Sequence, residues 1–263
     1  IFVLKDESFN SSFSQLSKTH YIPPLTSGPS NTNANPEDQW FYISTPINGD
    51  VSFKISPVGF PDQELSYIVN NTNPKKIQIA SEGYSQLFQD PATTSSVTSD
   101  KGYVIEASDV IYVSVRMNAG GGAQAGALVS KGDNALGTTF RIGTYDNQGS
   151  PGDNYMNFFS VMATQDNTTL NLSSNNISGL VIQNYGGQFP VENIILNRGE
   201  SYTVALKVTD SNGNRDGLIG TLVSADKNVV VNSGSANGSF GNGSSRDYGI
   251  DQIVGLDKIG KEY

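Results

Sequence analysis

Two stretches of this chain carry the same pattern 118 residues apart. Gly102-Tyr103-Val104-Ile105-Glu106-Ala107 aligns without a gap on Gly220-Thr221-Leu222-Val223-Ser224-Ala225, and the next apolar triplets, Ile111-Tyr112-Val113 and Val229-Val230-Val231, coincide as well. Upstream, Phe41-Tyr42-Ile43-Ser44-Thr45, a turn and Val51-x-Phe53-x-Ile55 match Phe159-Ser160-Val161-Met162-Ala163, a turn and Thr168-x-Leu170-x-Leu172. Downstream, Leu136-Gly137-Thr138-Thr139-Phe140 stands against Ile259-Gly260-Lys261-Glu262-Tyr263. One such match arises by chance, but three in the same order point to a duplicated unit.

The repeated pieces are strands. Apolar residues alternate with polar ones in Val51 to Ile55, Ile77 to Ile79 and Thr169 to Leu172, so one face meets a core and the other meets water. Val110 to Val113 and Val229 to Val231 are apolar throughout and suit burial on both faces. Gly/Asn/Asp/Ser clusters punctuate them at Asn118 to Gly122, Asp146 to Asn154, Ser173 to Asn176, Ser211 to Asn214 and Asn232 to Ser245, and these read as turns and loops. The expected fold is all-β: two tandem antiparallel β-sandwich-like repeats of about 118 residues, with β-propeller-like blades as the alternative. The expected division is 1–39 for an N-terminal strand and Pro-rich connection, 40–157 for the first unit and 158–263 for the second. Ile1-Phe2-Val3-Leu4 reads as a strand, Pro23-Pro24 as an extended connection, and Ile259 to Tyr263 as a strand entering, which favours a fragment of a longer chain.

Composition removes several chemistries. With no cysteine there is no disulfide, thiolate zinc site or thiol nucleophile, and with His20 as the only histidine a triad would depend on that one residue. A net charge of −9 opposes a general nucleic-acid binder. No run approaches the roughly 20 apolar residues of a membrane-spanning helix.

The remaining candidates are local. Asp210, Asn212, Asn214 and Asp216 place oxygen side chains at alternate positions, as a calcium loop requires, but Thr221 stands where the bidentate glutamate belongs and Arg215 adds positive charge. Calcium is therefore the one cofactor candidate, set against a polar turn. The glycine-rich stretches Ala119 to Gly122 and Gly234 to Ser245 lack the strand-to-helix context and Gly-Lys-Ser/Thr of a phosphate loop. They read as surface loops, with Asn118, Gly120, Gly121, Gly122, Asn237, Gly238 and Asn242 as contact residues. Trp40, the single tryptophan, begins a strand and reads as core. His20, far from any nucleophile elbow, has no catalytic reading.

Ala163-Thr164-Gln165-Asp166-Asn167-Thr168-Thr169, Leu196-Asn197-Arg198-Gly199-Glu200-Ser201-Tyr202, Asp216 to Thr221, Ser224 to Val229, Ile250-Asp251-Gln252 and Gly260 to Tyr263 together resemble the IgGFc-binding-protein N-terminal domain family. Lys18 to Pro24 and Leu128 to Gly132 resemble its bacterial branch, at the N-terminal ends of large type IX-secreted gliding and adhesin proteins of Bacteroidota. The resemblance, over roughly 18–263, implies an exported, extracellular, cell-surface and non-enzymatic module with its signal peptide already removed. Implied partners are a surface polysaccharide, a partner protein or neighbouring domains of the same large chain. Immunoglobulin binding, which the family's name takes from an animal mucus protein, is not carried over. That branch is cysteine-rich where this chain has no cysteine, which removes disulfide stapling and fits the bacterial branch. A structural spacer and a polysaccharide-active enzyme are the alternatives.

Overall fold

A computed structural model describes residues 15–28, 34–83, 85–147, 156–175, 179–208, 214–239 and 246–258. Ile1 to Leu4, Asn242 and Ile259 to Tyr263 lie outside these residues, so the strands expected at the two ends do too. In the first half of the chain the strands are β1 (Ser17–Ile22), β2 (Leu25–Thr26), β3 (Pro36–Ser44), β4 (Val51–Pro57), β5 (Leu65–Val69), β6 (Lys75–Ala80), β7 (Phe88–Gln89), β8 (Val97–Thr98), β9 (Tyr103–Ala119) and β10 (Gln124–Val129). There follow β11 (Gly137–Arg141), β12 (Met156–Ala163), β13 (Thr168–Ser173), β14 (Val191–Leu196), β15 (Ser201–Lys207), β16 (Leu222–Gly238) and β17 (Asp247–Ile253). The all-β class is as expected.

Both units have the same topology. In the first, the order is β5-β4-β9-β3-β6, with β1 and β10 also on β9. In the second it is β14-β13-β16-β12-β15, with β11 and β17 also on β16, and β8 added at the β15 edge. Registers repeat as well: Phe41 opposes Val115 as Phe159 opposes Ser233, and Phe53 opposes Ala107 as Leu170 opposes Ala225. Gly102–Val113 and Gly220–Val231 thus hold equivalent places in the fold. β11 takes in the second sheet the position that β1 takes in the first.

The central strands β9 and β16 run 17 residues each, about three times the usual strand length. Their length lets each serve two half-sheets. β9 pairs with β1 and β4 through Tyr103 to Ala107, then with β3 and β10 through Tyr112 to Ala119. Such a sheet folds over its own apolar core, which makes it a sandwich rather than a propeller blade. Phe41, Phe53, Ile55, Ile105, Val113 and Val115 fill the first core. Phe159, Val161, Leu170, Leu172, Val223 and Val231 fill the second.

The second unit is buried on its other side too. Every residue of β12 is buried: Phe159, Val161 and Ala163 face the second core, while Met156 and Phe158 join the first, with Ala205, Ala236 and Tyr248. The Pro23-Pro24 connection runs between the layers. Its carbonyls accept from Asn232 Nδ2 (2.8 Å, Pro23) and from the Ser160 hydroxyl (Pro24), while Tyr21 O accepts from Gln252 Nε2 at 2.9 Å. These bonds satisfy groups that would otherwise lose water without replacement.

This layer corrects the loop reading of Asn232 to Gly238. β16 continues to Gly238, and Asn237 is fully buried in it. Small polar residues there serve close approach between layers, and Ser235 donates to Asn157 Oδ1 at 2.5 Å. Composition cannot separate that use from a turn, because Gly, Ser and Asn suit both.

His20 is buried on β1. Its Nε2 lies 3.2 Å from Ser17 O and 3.0 Å from Ile111 O and so carries the proton, and Nδ1 accepts from the Ser130 hydroxyl at 2.9 Å. Burial pushes its pKa below the ordinary 6.5, against the opposing pull of the two carbonyls and of Asp133. The folded chain keeps the ring neutral where the unfolded chain protonates it. Stability is therefore full above about pH 6.5 and declines as pH falls from there toward the depressed folded value. The melting temperature should drop between about pH 7.5 and about pH 5.5, and His20→Gln should flatten that slope. An unchanged slope in the variant would assign the titration to another group.

Candidate functional site: an aromatic and basic sheet face

Alternation along β3 and β9 sends Phe41, Ile43, Val113 and Val115 inward, so Trp40, Tyr42, Tyr112, Ser114 and Arg116 point to the opposite face. Antiparallel register sets Trp40 opposite Arg116, Tyr42 opposite Ser114 and Ser44 opposite Tyr112. On the other flank β6 brings Lys76 opposite Tyr42 and Gln78 opposite Trp40. The result is an open groove of about 730 Å³ running over the β6–β3–β9 face.

Ser114, 3% exposed, is its floor, and Tyr42, 38% exposed, stands over it. Lys76 Nζ lies 4.9 Å from the Trp40 ring centroid and 5.6 Å from that of Tyr42, close enough for the ring faces to attract the ammonium. Lys75 and Arg116 add two more positive charges, and no carboxylate lines the groove. Asp38, two residues before Trp40, instead accepts from Gln78 Nε2 at 2.8 Å.

At one end the groove meets the β9–β10 turn. Asn118 lines it, and the Gly120 to Gly122 tip is held by Glu37, whose carboxylate accepts from the Gly121 and Gly122 N–H groups at 2.5 and 2.9 Å. Of the expected contact residues Asn118 lines the groove, and Gly120 to Gly122 form the turn beyond it. Asn237 and Gly238 are strand residues buried between layers instead, which corrects their reading as loop residues.

Of the expected calcium ligands, Asp210 and Asn212 lie outside the described residues. Asn214 is buried: its Oδ1 accepts from Val181 N at 2.7 Å and its Nδ2 donates to Val181 O and Lys207 O. Asp216 is exposed in the turn where its carbonyl accepts from Ile219 N. Among the described residues no three His, Cys, Asp or Glu side chains gather as a metal site requires.

Trp40 corrects a further expectation, for it is half-buried on the outer face and not core. Its core-facing neighbour is Phe41. Tyr42, Tyr112, Lys75, Lys76 and Arg116 were not legible as a group from single-strand patterns. The duplication itself carries their signal. At the same offset the second unit has Phe158, Ser160, Val230 and Gly234, apolar or small, where the first has Trp40, Tyr42, Tyr112 and Arg116.

A duplicated β-sandwich with one repeat of a face buried and its twin open, aromatic and basic, has the build of a binding module. Among the described residues no helix is long and apolar enough to cross a membrane. A family model described as IgGFc binding protein matches residues 125–263, just over half of the chain, and the chain belongs to that family. The match takes in the second unit together with β10 and β11; the groove lies before it, in the first unit. No curated protein and no solved structure matches the chain.

Proposed function

We propose that this chain is an extracellular, non-enzymatic binding module that serves adhesion or display at a cell surface. Membership of the IgGFc binding protein family supports a binding role. The observation that carries the reading is the inequality of the twin faces. Phe158 and its neighbours are buried between the units, whereas Trp40 and Tyr42 are offered to solvent on an otherwise equivalent sheet. Exposed rings and cations gathered on a rigid sheet are what a recognition surface consists of. Surface gliding and type IX export are finer expectations that rest on the sequence resemblance. Binding of immunoglobulin Fc, named in the family's description, is not part of the reading.

A structural spacer is the second reading. β11 favours it: a strand within the 40–157 span expected for the first unit completes the second sheet, so the two units are locked together. The test is retention of the 263-residue chain on immobilised envelope polysaccharides, matrix proteins and immunoglobulin Fc, followed by analysis of the glycans for products. Saturable retention on a polysaccharide or matrix protein, without product, is expected. Shortened or unsaturated glycans would replace the reading with an enzyme, and absence of retention on every surface would leave the spacer.

A further inference from the structure

We infer that the groove over β6, β3 and β9 binds an acidic polysaccharide, with sugar rings lying on Trp40 and Tyr42 and anionic groups held by Lys75, Lys76 and Arg116. The inference rests on the binding-module reading and names its site and ligand class.

The chemistry of the face differs from that of its twin in the direction a ligand requires. In the second unit Ser160, Gly234 and Ala236 keep the sheet surface low, so the first unit packs directly on it. In the first unit the equivalent positions are Tyr42, Arg116 and Asn118, larger or charged side chains that line the open groove. What they present instead is ring area and positive charge. Trp40 and Tyr42 are two residues apart on one strand face, so their side chains emerge about 7 Å apart, an interval suited to a ligand with a repeating shape. Aromatic faces carry negative potential and receive the weakly positive C–H faces of a pyranose ring.

The charges select among sugars. Lys18, Lys54, Lys131 and Arg198 each form an ion pair, but among the described residues Lys75, Lys76 and Arg116 form none. Three cations without a lining carboxylate, on a chain of net charge −9, make a local exception to the protein's overall sign. A guanidinium and two ammonium groups suit carboxylate or sulfate ester oxygens. A nucleic acid carries a charge on every nucleotide and would meet the repulsion of the rest of the chain. An extended acidic peptide would need pockets for its side chains, and this floor is a serine over a closed core. A polysaccharide of sparser charge satisfies both rings and cations.

The experiment titrates the 263-residue chain with a polyuronate, a sulfated galactan, a neutral glucan, polyglutamate and a single-stranded oligonucleotide, by calorimetry and affinity electrophoresis. At least one of the two acidic polysaccharides should bind, weakening as salt is raised, and the preferred one tells carboxylate from sulfate recognition. The neutral glucan should bind at least about tenfold more weakly, as should the acidic one to Trp40→Ala and to the Lys76→Met/Arg116→Ala pair, with melting temperatures near that of the parent chain. Failure of both acidic polysaccharides, equal binding of polyglutamate or the oligonucleotide, or affinity untouched by these variants would overturn the inference. Retention of Trp40→Ala on another extracellular surface would then leave the binding-module reading standing, whereas loss of every interaction would remove both.

Discussion

Gly102→Ala should destabilise the chain by about 4 kcal/mol, while the same change at its repeat partner Gly220 should cost about 1–2 kcal/mol. Both residues have positive φ, +92° and +80°, so alanine is strained at either site. Their surroundings differ. A Cβ on Gly102 would lie 2.7 Å from Ile22 O and closer still to the terminal methyl of Met162, whereas one on Gly220 would meet nothing within 4 Å. Gly102 is also anchored, donating to Gln86 O at 2.7 Å and accepting from Val58 N at 3.1 Å, so the backbone has little room to retreat. The excess loss at Gly102 therefore reports chiefly the close approach of the Ile22 carbonyl, a backbone atom with little room to retreat, and to a lesser degree the flexible end of Met162 from the second unit. Denaturant midpoints at constant slope would measure it, and equal losses at the two glycines would show that these contacts contribute nothing.

Phe158→Ala should cost about 3–5 kcal/mol, the penalty of deleting a fully buried ring, while Trp40→Ala should cost about 1 kcal/mol or less. The two positions are register equivalents, Phe158 opposite Gly234 and Trp40 opposite Arg116, so local structure predicts equal effects. They separate only because one face is covered and the other is open. Thermal melts by circular dichroism would decide. A Trp40→Ala variant as damaged as Phe158→Ala would make the tryptophan a structural anchor and remove the open face from the functional argument.

The strands and their duplication were legible because both are written locally. Alternation in Val51 to Ile55 and Thr169 to Leu172 names the inward side chains, and the matches at Gly102 and Gly220 predict equivalent places, down to the register of Phe41 and Phe159. The site was less legible. The turn at Gly120 to Gly122 was legible from its glycines, but Trp40 was assigned inward because a lone tryptophan at a strand start is usually core. Asn232 to Gly238 was assigned to a loop because its composition suits one. In both cases the missing information was which of two possible faces another layer would cover.

By itself the chain's order of residues determined an all-β fold, a unit used twice and the absence of thiol chemistry, since side-chain period and residue type suffice for each. Tertiary structure alone decided that the second unit's outer face would be sealed against the Pro23-Pro24 connection and the first unit's left as a groove. That choice depends on contacts such as Ser160 with Pro24, 136 residues apart. A two-residue period distinguishes one side of a strand from the other, but carries nothing about a layer that arrives from so far along the chain.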